Sequence, residues 1–181
     1  MLSGLSAVLS DRAMNLHKEY IIKQKLKYSV MEKSFPDIVG KNIRDISRLK
    51  IREREEIVLA KWDIMCHEKY FISFGREYQN SSAARYMCRT EASFLYEIYE
   101  MARRANHGFL VVYSYNKGKI GFTVSDEKAI LNADELILAV DLCEHAYFLD
   151  YGFDKEEYLR KLLPHLNLSE IDKFYNGLLQ V

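Results

Sequence analysis

The stretch ELILAVDLCEHAYFLDY, Glu135 to Tyr151, constrains the fold more than any other part of the chain. Its apolar run, Leu136 to Val140, has the length and content of a buried strand, and a carboxylate, Asp141, stands at the strand's end. Four residues later comes an imidazole, His145, with aromatic side chains behind it at Tyr147, Phe148 and Tyr151. A carboxylate at the end of a buried strand is rigidly held. It suits either of two tasks: capping the turn that follows, or binding something.

The rest of the chain supplies the elements around that strand. Ser10-Asp11 are good N-cap residues, and Met14, His17, Ile21 and Val30 follow at helical spacing until Phe35-Pro36 breaks the pattern and Gly40 follows. From about Glu55, Val58, Trp62, Met65 and Tyr70 mark a second helix, which also carries His67. Gly75 and Gln79 to Ser82 read as a loop. A helix from Thr90 to about Ala105 turns Phe94, Leu95, Ile98 and Met101 to one side. The period then changes to that of strands: Phe109 to Tyr115, a turn at Asn116 to Lys119 with Gly118, and Ile120 to Val124. A further helix is expected from Lys155 to Leu163, ended near Pro164. Helices first, then a small three-stranded antiparallel sheet with helices, make the class α+β. The expected division is an N-terminal helical hairpin, residues 1–82, and a C-terminal α/β domain, residues 83–181.

Charge and cysteine content remove several functions. The 181 residues hold 26 basic and 26 acidic side chains, so no net field favours nucleic acid or an anionic membrane. No apolar run approaches the roughly 20 residues that cross a bilayer, and MLSGLSAVLSDR lacks the pattern of a signal peptide. The three cysteines, Cys66, Cys88 and Cys143, have neither the even count nor the spacing of a disulfide framework. The expected setting is the reducing cytoplasm.

His17 and His67 stand on apolar helix faces, and with Asp141 and His145 they would form a site of three nitrogens and one oxygen. Such a set suits iron, manganese or zinc. The competing reading is ordinary: a lone histidine on an apolar face is commonly a hydrogen-bonded core residue, and Asp141 can cap a turn. His107 and His165 sit in polar surroundings and read as surface residues.

The segment VDLCEHAYFLDYGFDKEEYL resembles the C-terminal metal signature of the iron/manganese superoxide dismutases, typically Asp-Val-Trp-Glu-His-Ala-Tyr-Tyr-Leu-Asp-Tyr. The match runs through Asp141, Glu144, His145, Ala146, Tyr147, Leu149, Asp150 and Tyr151. LSDRAMNLH is similar to the segment that leads to the family's first ligand, CHEKYFISF to the helix of the second, and GFLVVYSYNKGKIGFTV to the sheet hairpin. The resemblance implies His17, His67, Asp141 and His145 as ligands of one iron or manganese ion per subunit. It also implies superoxide as substrate, and a homodimer in which Glu144 of one chain bonds His145 of the other.

Around those ligands the sequence departs from the family. Where members carry a histidine four residues and a tyrosine eight residues after the first ligand, this chain has Ile21 and Lys25. Tyr20, on the same helix but out of that register, is the candidate for the missing phenol. The second tyrosine of the family's Glu-His-Ala-Tyr-Tyr run is Phe148 here. Iron-type members place a glutamine four residues before the second ligand, where this chain has Asp63; manganese-type members place it after the hairpin, where Asp126 and Glu127 stand. Cys66 replaces an asparagine and Cys143 a tryptophan. The resemblance therefore implies either a divergent dismutase, with Asp63 and Tyr20 as candidate catalytic residues, or a metal-binding relative whose activity is lost or changed. Another non-haem iron activity at a similar open site is a third reading.

Overall fold

The computed structural model describes residues 4–75, 81–116, 119–125, 131 and 133–178. The chain opens with a 3₁₀ turn, Leu5–Ala7, and a long helix, α1 (Asp11–Ser34). Ser10 starts α1: its backbone is extended, and its Oγ accepts from the N–H of Ala13 at 3.2 Å. Pro36 ends it, because a proline ring drives the preceding residue away from helical dihedrals, and Phe35 sits at φ −131° and ψ 75°. A short α2 (Ile43–Ile46) leads to α3 (Arg54–Ile72). The buried side of α3 is Ile57, Val58, Trp62, Cys66, His67 and Tyr70, a set that recurs every three or four residues and turns one face inward.

Two helices, α4 (Ser82–Cys88) and α5 (Glu91–Arg104), precede the sheet. The loop expected at Gln79 to Ser82 is shorter than the sequence suggested. Gln79 and Asn80 lie outside the described residues, but Ser81 is already the N-cap of α4, its Oγ accepting from Ala84 N. The sheet has the order β2-β1-β3, all antiparallel, with β1 (Phe109–Tyr115), β2 (Lys119–Val124) and β3 (Glu135–Asp141). Gly118 of the expected turn lies outside the described residues, as do Asp126 and Glu127. Phe109 to Val112 of the central β1 and the length of β3 from Leu136 onward are buried, which explains the continuous apolar runs at residues 109–112 and 136–140.

After β3 come α6 (Glu144–Tyr151), α7 (Lys155–Leu162), a 3₁₀ turn containing Pro164, and α8 (Ser169–Leu178). One contiguous apolar core draws on all of these elements: α3 supplies Ile57 and Tyr70, α5 supplies Phe94 and Ile98, and the sheet supplies Val111 and Leu138. Tyr70 and Tyr158 are fully buried at its centre. Their hydroxyls meet at 3.1 Å, and Tyr158 donates to the carbonyl of Asp141 at 3.1 Å. The end of β3 is thereby tied to both α3 and α7. Among the described residues no helix is long and apolar enough to cross a membrane.

Candidate metal centre

Asp141 is the last residue of β3 and is fully buried. Its two oxygens are divided between two tasks. Oδ1 accepts from the N–H of Cys143 at 2.8 Å and shapes the turn into α6, while Oδ2 faces inward. The turn-capping reading holds for Oδ1, which leaves Oδ2 facing the interior.

Three imidazoles reach the inward oxygen. His17 lies two turns into α1, His67 lies near the end of α3, and His145 is in the first turn of α6. Their Nε2 atoms stand 3.0, 3.4 and 3.0 Å from Asp141 Oδ2, and those of His67 and His145 are 3.1 Å from each other. One ligand atom from each of the four residues lies within 4.8 Å of the others. His17 and His67 are buried, whereas the side chain of His145 is 30% exposed, so the group opens toward solvent on that side.

Such an arrangement is hard to satisfy within the protein. A neutral imidazole offers one N–H and one lone pair, and His67 spends its Nδ1–H on the carbonyl of Asp63 at 2.7 Å. Its Nε2 is then a lone pair, aimed at another imidazole nitrogen and a carboxylate. The Nε2 of His17 and Oδ2 of Asp141 are close, but as a hydrogen bond they are misaligned, and both are buried without a satisfying partner. Donors at about 2.1 Å from a shared cation lie about 3.0–3.6 Å apart in adjacent positions. The observed 3.0–3.4 Å separations from Asp141 Oδ2 match that spacing, so the donor set fits a metal ion. Fixing His67 through its Nδ1 is the usual way a protein orients an imidazole ligand.

The electrostatics agree. Burial pushes the Asp141 carboxyl upward, but the close imidazoles of His145, His17 and His67 outweigh it and hold the group well below the usual carboxylate range. Burial lowers His17, and the nearby Asp141 carboxylate recovers only part of that. For His67, burial also lowers, but the pull of Asp141 and Asp63 leaves it raised. Asp63 itself is raised, first by burial, with its Oδ1 3.4 Å from His67 Nδ1.

Aromatic rings surround the cluster. Tyr20 lies over His145 with centroids 4.3 Å apart and planes 22° from parallel, and its ring is 5.1 Å from that of His67. Burial, followed by the charge of Asp63, pushes its phenol up to about 12. Its register, which differs from the family's, nonetheless delivers it to the site: residues three apart share a helix face, and His17 and Tyr20 do so. Phe71 and Phe109 border His17 and His67 at 5.1 and 4.8 Å, and sequence reasoning did not single them out. Their signals were present in retrospect, since Phe71 follows His67 by one turn and Phe109 is the β1 residue paired with Asp141.

The remaining sequence candidates lie outside this group of four. Ile21 is buried, and Lys25 forms an ion pair with Glu68 at 2.5 Å. Cys66 is buried and Cys143 half-buried, both thiols free, and burial with the Asp141 charge pushes Cys143 up to about 12. Glu144 is exposed. Phe148, 46% exposed, meets Phe153, 83% exposed, edge to face at 5.1 Å. His107 is exposed and His165 half-buried, and neither belongs to the group.

Residues 91–174 match the family model described as iron/manganese superoxide dismutases, C-terminal domain. The matched stretch contains Asp141 and His145, while His17 and His67 precede it. A search of curated proteins found no match.

Proposed function

From the match of residues 91–174 to the family model of the iron/manganese superoxide dismutases, C-terminal domain, we propose that the chain is a divergent superoxide dismutase. On this reading His17, His67, Asp141 and His145 hold one iron or manganese ion per subunit. The observation that carries it is the convergence of three Nε2 atoms on Asp141 Oδ2, at 3.0, 3.4 and 3.0 Å, with His17 Nε2 and Asp141 Oδ2 buried and left without a hydrogen-bond partner. When bound, the ion supplies alternation between divalent and trivalent states, by which two superoxide anions and two protons give dioxygen and hydrogen peroxide.

The chain's own side chains set the conditions for that chemistry. Three neutral imidazoles and a single carboxylate leave a bound cation under-neutralised, which attracts a small anion. Access is from the His145 side, the only one of the four side chains with solvent exposure. Tyr20 stands there with its phenol protonated at neutral pH, able to donate a hydrogen bond to an arriving anion. Asp63 takes the place of the family's glutamine and holds His67 through its backbone carbonyl. Zinc fits the donors but not the reaction, since it has a single accessible oxidation state.

A metal-binding relative with lost or changed activity is the second reading, favoured by one observation. Where the family has a tyrosine, Lys25 is engaged with Glu68, and Ile21 beside it is buried and apolar. The proton path that members use is therefore rebuilt or gone. Decay of a superoxide pulse, followed in the ultraviolet with the metal-loaded protein, separates the two readings. Loss faster than spontaneous dismutation, first order in protein, supports the enzyme; loss at the spontaneous rate supports the binding protein.

The reading includes a homodimer with Glu144 of one chain bonded to His145 of the other. The exposed Phe148, Leu149 and Phe153 beside His145 support it, since they supply an apolar patch at the place where that contact would form. It also includes a helical hairpin in residues 1–82, a C-terminal domain in residues 83–181, and an antioxidant role in the cytoplasm, where the three free thiols would stay reduced.

A further inference from the structure

The helix that brings His17 to the site lacks half of its own N-terminal cap, and the missing half comes from the helix that carries His145. Ser10 caps α1 through its Oγ, bonded to Ala13 N at 3.2 Å. In a complete capping box the third helical residue is Glu or Gln, whose side chain returns to the backbone N–H of the cap residue. Here that residue is Ala13, 3% exposed and packed in the core, so no long polar side chain fits there. The N–H of Ser10 donates instead to Asp150 Oδ2 at 2.7 Å, from the last turn of α6. The next residue repeats the grip: the hydroxyl of Tyr151 donates to the carbonyl of Val8 at 2.5 Å. A carboxylate at this place also meets the positive end of the α1 dipole.

The two helices are thus fastened at two points. At one, Asp150 and Tyr151 hold the backbone of Val8 and Ser10; at the other, the rings of His17 and His145 stand 5.1 Å apart. Along α1 the points are separated by seven residues, about 10 Å, and along α6 by five, about 7.5 Å. Core packing of Ala13, Met14 and Tyr28 already limits how α1 can turn, and a single fastening to α6 would add only one restraint to it. Two fix both its rotation and its height, and so fix where His17 Nε2 stands against Asp141 and His145.

We propose that Asp150, with Tyr151, is a positioning residue for the metal centre: it completes the α1 cap from α6 and sets His17 in register with His145. The proposal rests on the metal reading above and adds a determinant lying outside the ligand set.

The test uses cobalt(II), whose visible spectrum reports ligand number and geometry without any turnover. Full-length wild-type protein, Asp150→Ala, Asp150→Asn and Tyr151→Phe are loaded with cobalt(II), and its release to a chelator is timed. Asp150→Ala is expected to shift the visible bands and to release cobalt about tenfold faster, the fold-change equivalent to losing a cap contact of about 1.4 kcal/mol. Asp150→Asn keeps an oxygen acceptor for Ser10 N and is expected to restore the wild-type spectrum, which a general loss of stability would not predict. Tyr151→Phe, which keeps its ring against Tyr158, is expected to fall between and serves if Asp150→Ala does not fold. An Asp150→Ala protein with wild-type spectrum and release, or an Asn variant no better than Ala, overturns the proposal. A wild-type protein that takes up no cobalt overturns the metal reading itself, and the proposal with it.

Discussion

The phenol ring of Tyr20 lies over the imidazole of His145, centroids 4.3 Å apart and planes 22° from parallel. His145 is the one member of the four-residue group with solvent exposure, and Tyr20 is the ring that covers it. Stacking fixes the plane of an imidazole that would otherwise be free to turn. The hydroxyl, with its pKa pushed up to about 12, stays a donor throughout the physiological range.

Two substitutions separate the ring from the hydroxyl. Tyr20→Phe keeps the stack and is expected to leave metal content unchanged while lowering superoxide turnover, by about tenfold or more if the hydroxyl carries protons. Tyr20→Ala is expected to loosen His145 and to lose metal to a chelator several-fold faster. Equal turnover in Tyr20→Phe and wild type would remove Tyr20 from the chemistry and leave it a packing residue.

The position of Tyr20 also marks what the sequence could and could not disclose. β1 was legible to the residue, because Phe109 to Tyr115 is an apolar and aromatic run, interrupted only by Ser114 and bounded by turn residues. α1 was legible from its Ser10 cap and its Phe35-Pro36 end. The short α2 and α4 were not, since four and seven residues are too few for a helical period to stand out. α8, which follows Pro164 closely, was missed as well. Of the site, Asp141 and His145 were conspicuous because they share one short stretch. That His17 and His67 would face them follows from no local spacing, only from family resemblance. Tyr20 looked out of place against the family's register, yet a helix face admits the third residue as readily as the fourth. The grip of Asp150 on Ser10 joins residues 140 apart in sequence and left no local trace.

Asp63 gives a pH prediction with a definite sign. Burial first, and the Asp141 charge as well, raise its pKa above the ordinary 3.8, against the pull of His67. A carboxyl with a raised folded-state pKa binds more protons folded than unfolded between the two values. It therefore favours the folded state at low pH, relative to neutral pH, and that advantage is lost as the pH rises through the folded value. Asp63→Asn is expected to make the metal-free protein more stable at pH 7, by up to about 1 kcal/mol. The gain should shrink toward zero below pH 3.8, the ordinary value. Denaturant melts at a series of pH values check this, and a gain that grows on acidification would contradict it.

Glu144 and the apolar patch beside it predict the assembly. Glu144→Ala is expected to weaken the dimer and hasten metal loss together, because on the proposed reading the glutamate bonds the ligand His145 of the other chain. Phe153→Ser, which removes the most exposed large apolar side chain among the described residues, is expected to weaken the dimer through lost apolar area. Sedimentation across micromolar concentrations reads both. A wild-type monomer at those concentrations, with full metal content, would show that Glu144 has no such role.

The most direct test is the metal content of the purified protein, wild type beside His145→Ala, measured by mass spectrometry against protein concentration. About one iron or manganese ion per wild-type chain is expected, and close to none in His145→Ala, since three remaining donors and an open side hold such an ion poorly. A wild-type protein without either metal after expression with both supplied, or a His145→Ala protein that holds as much as wild type, would contradict a metal centre built on His17, His67, Asp141 and His145.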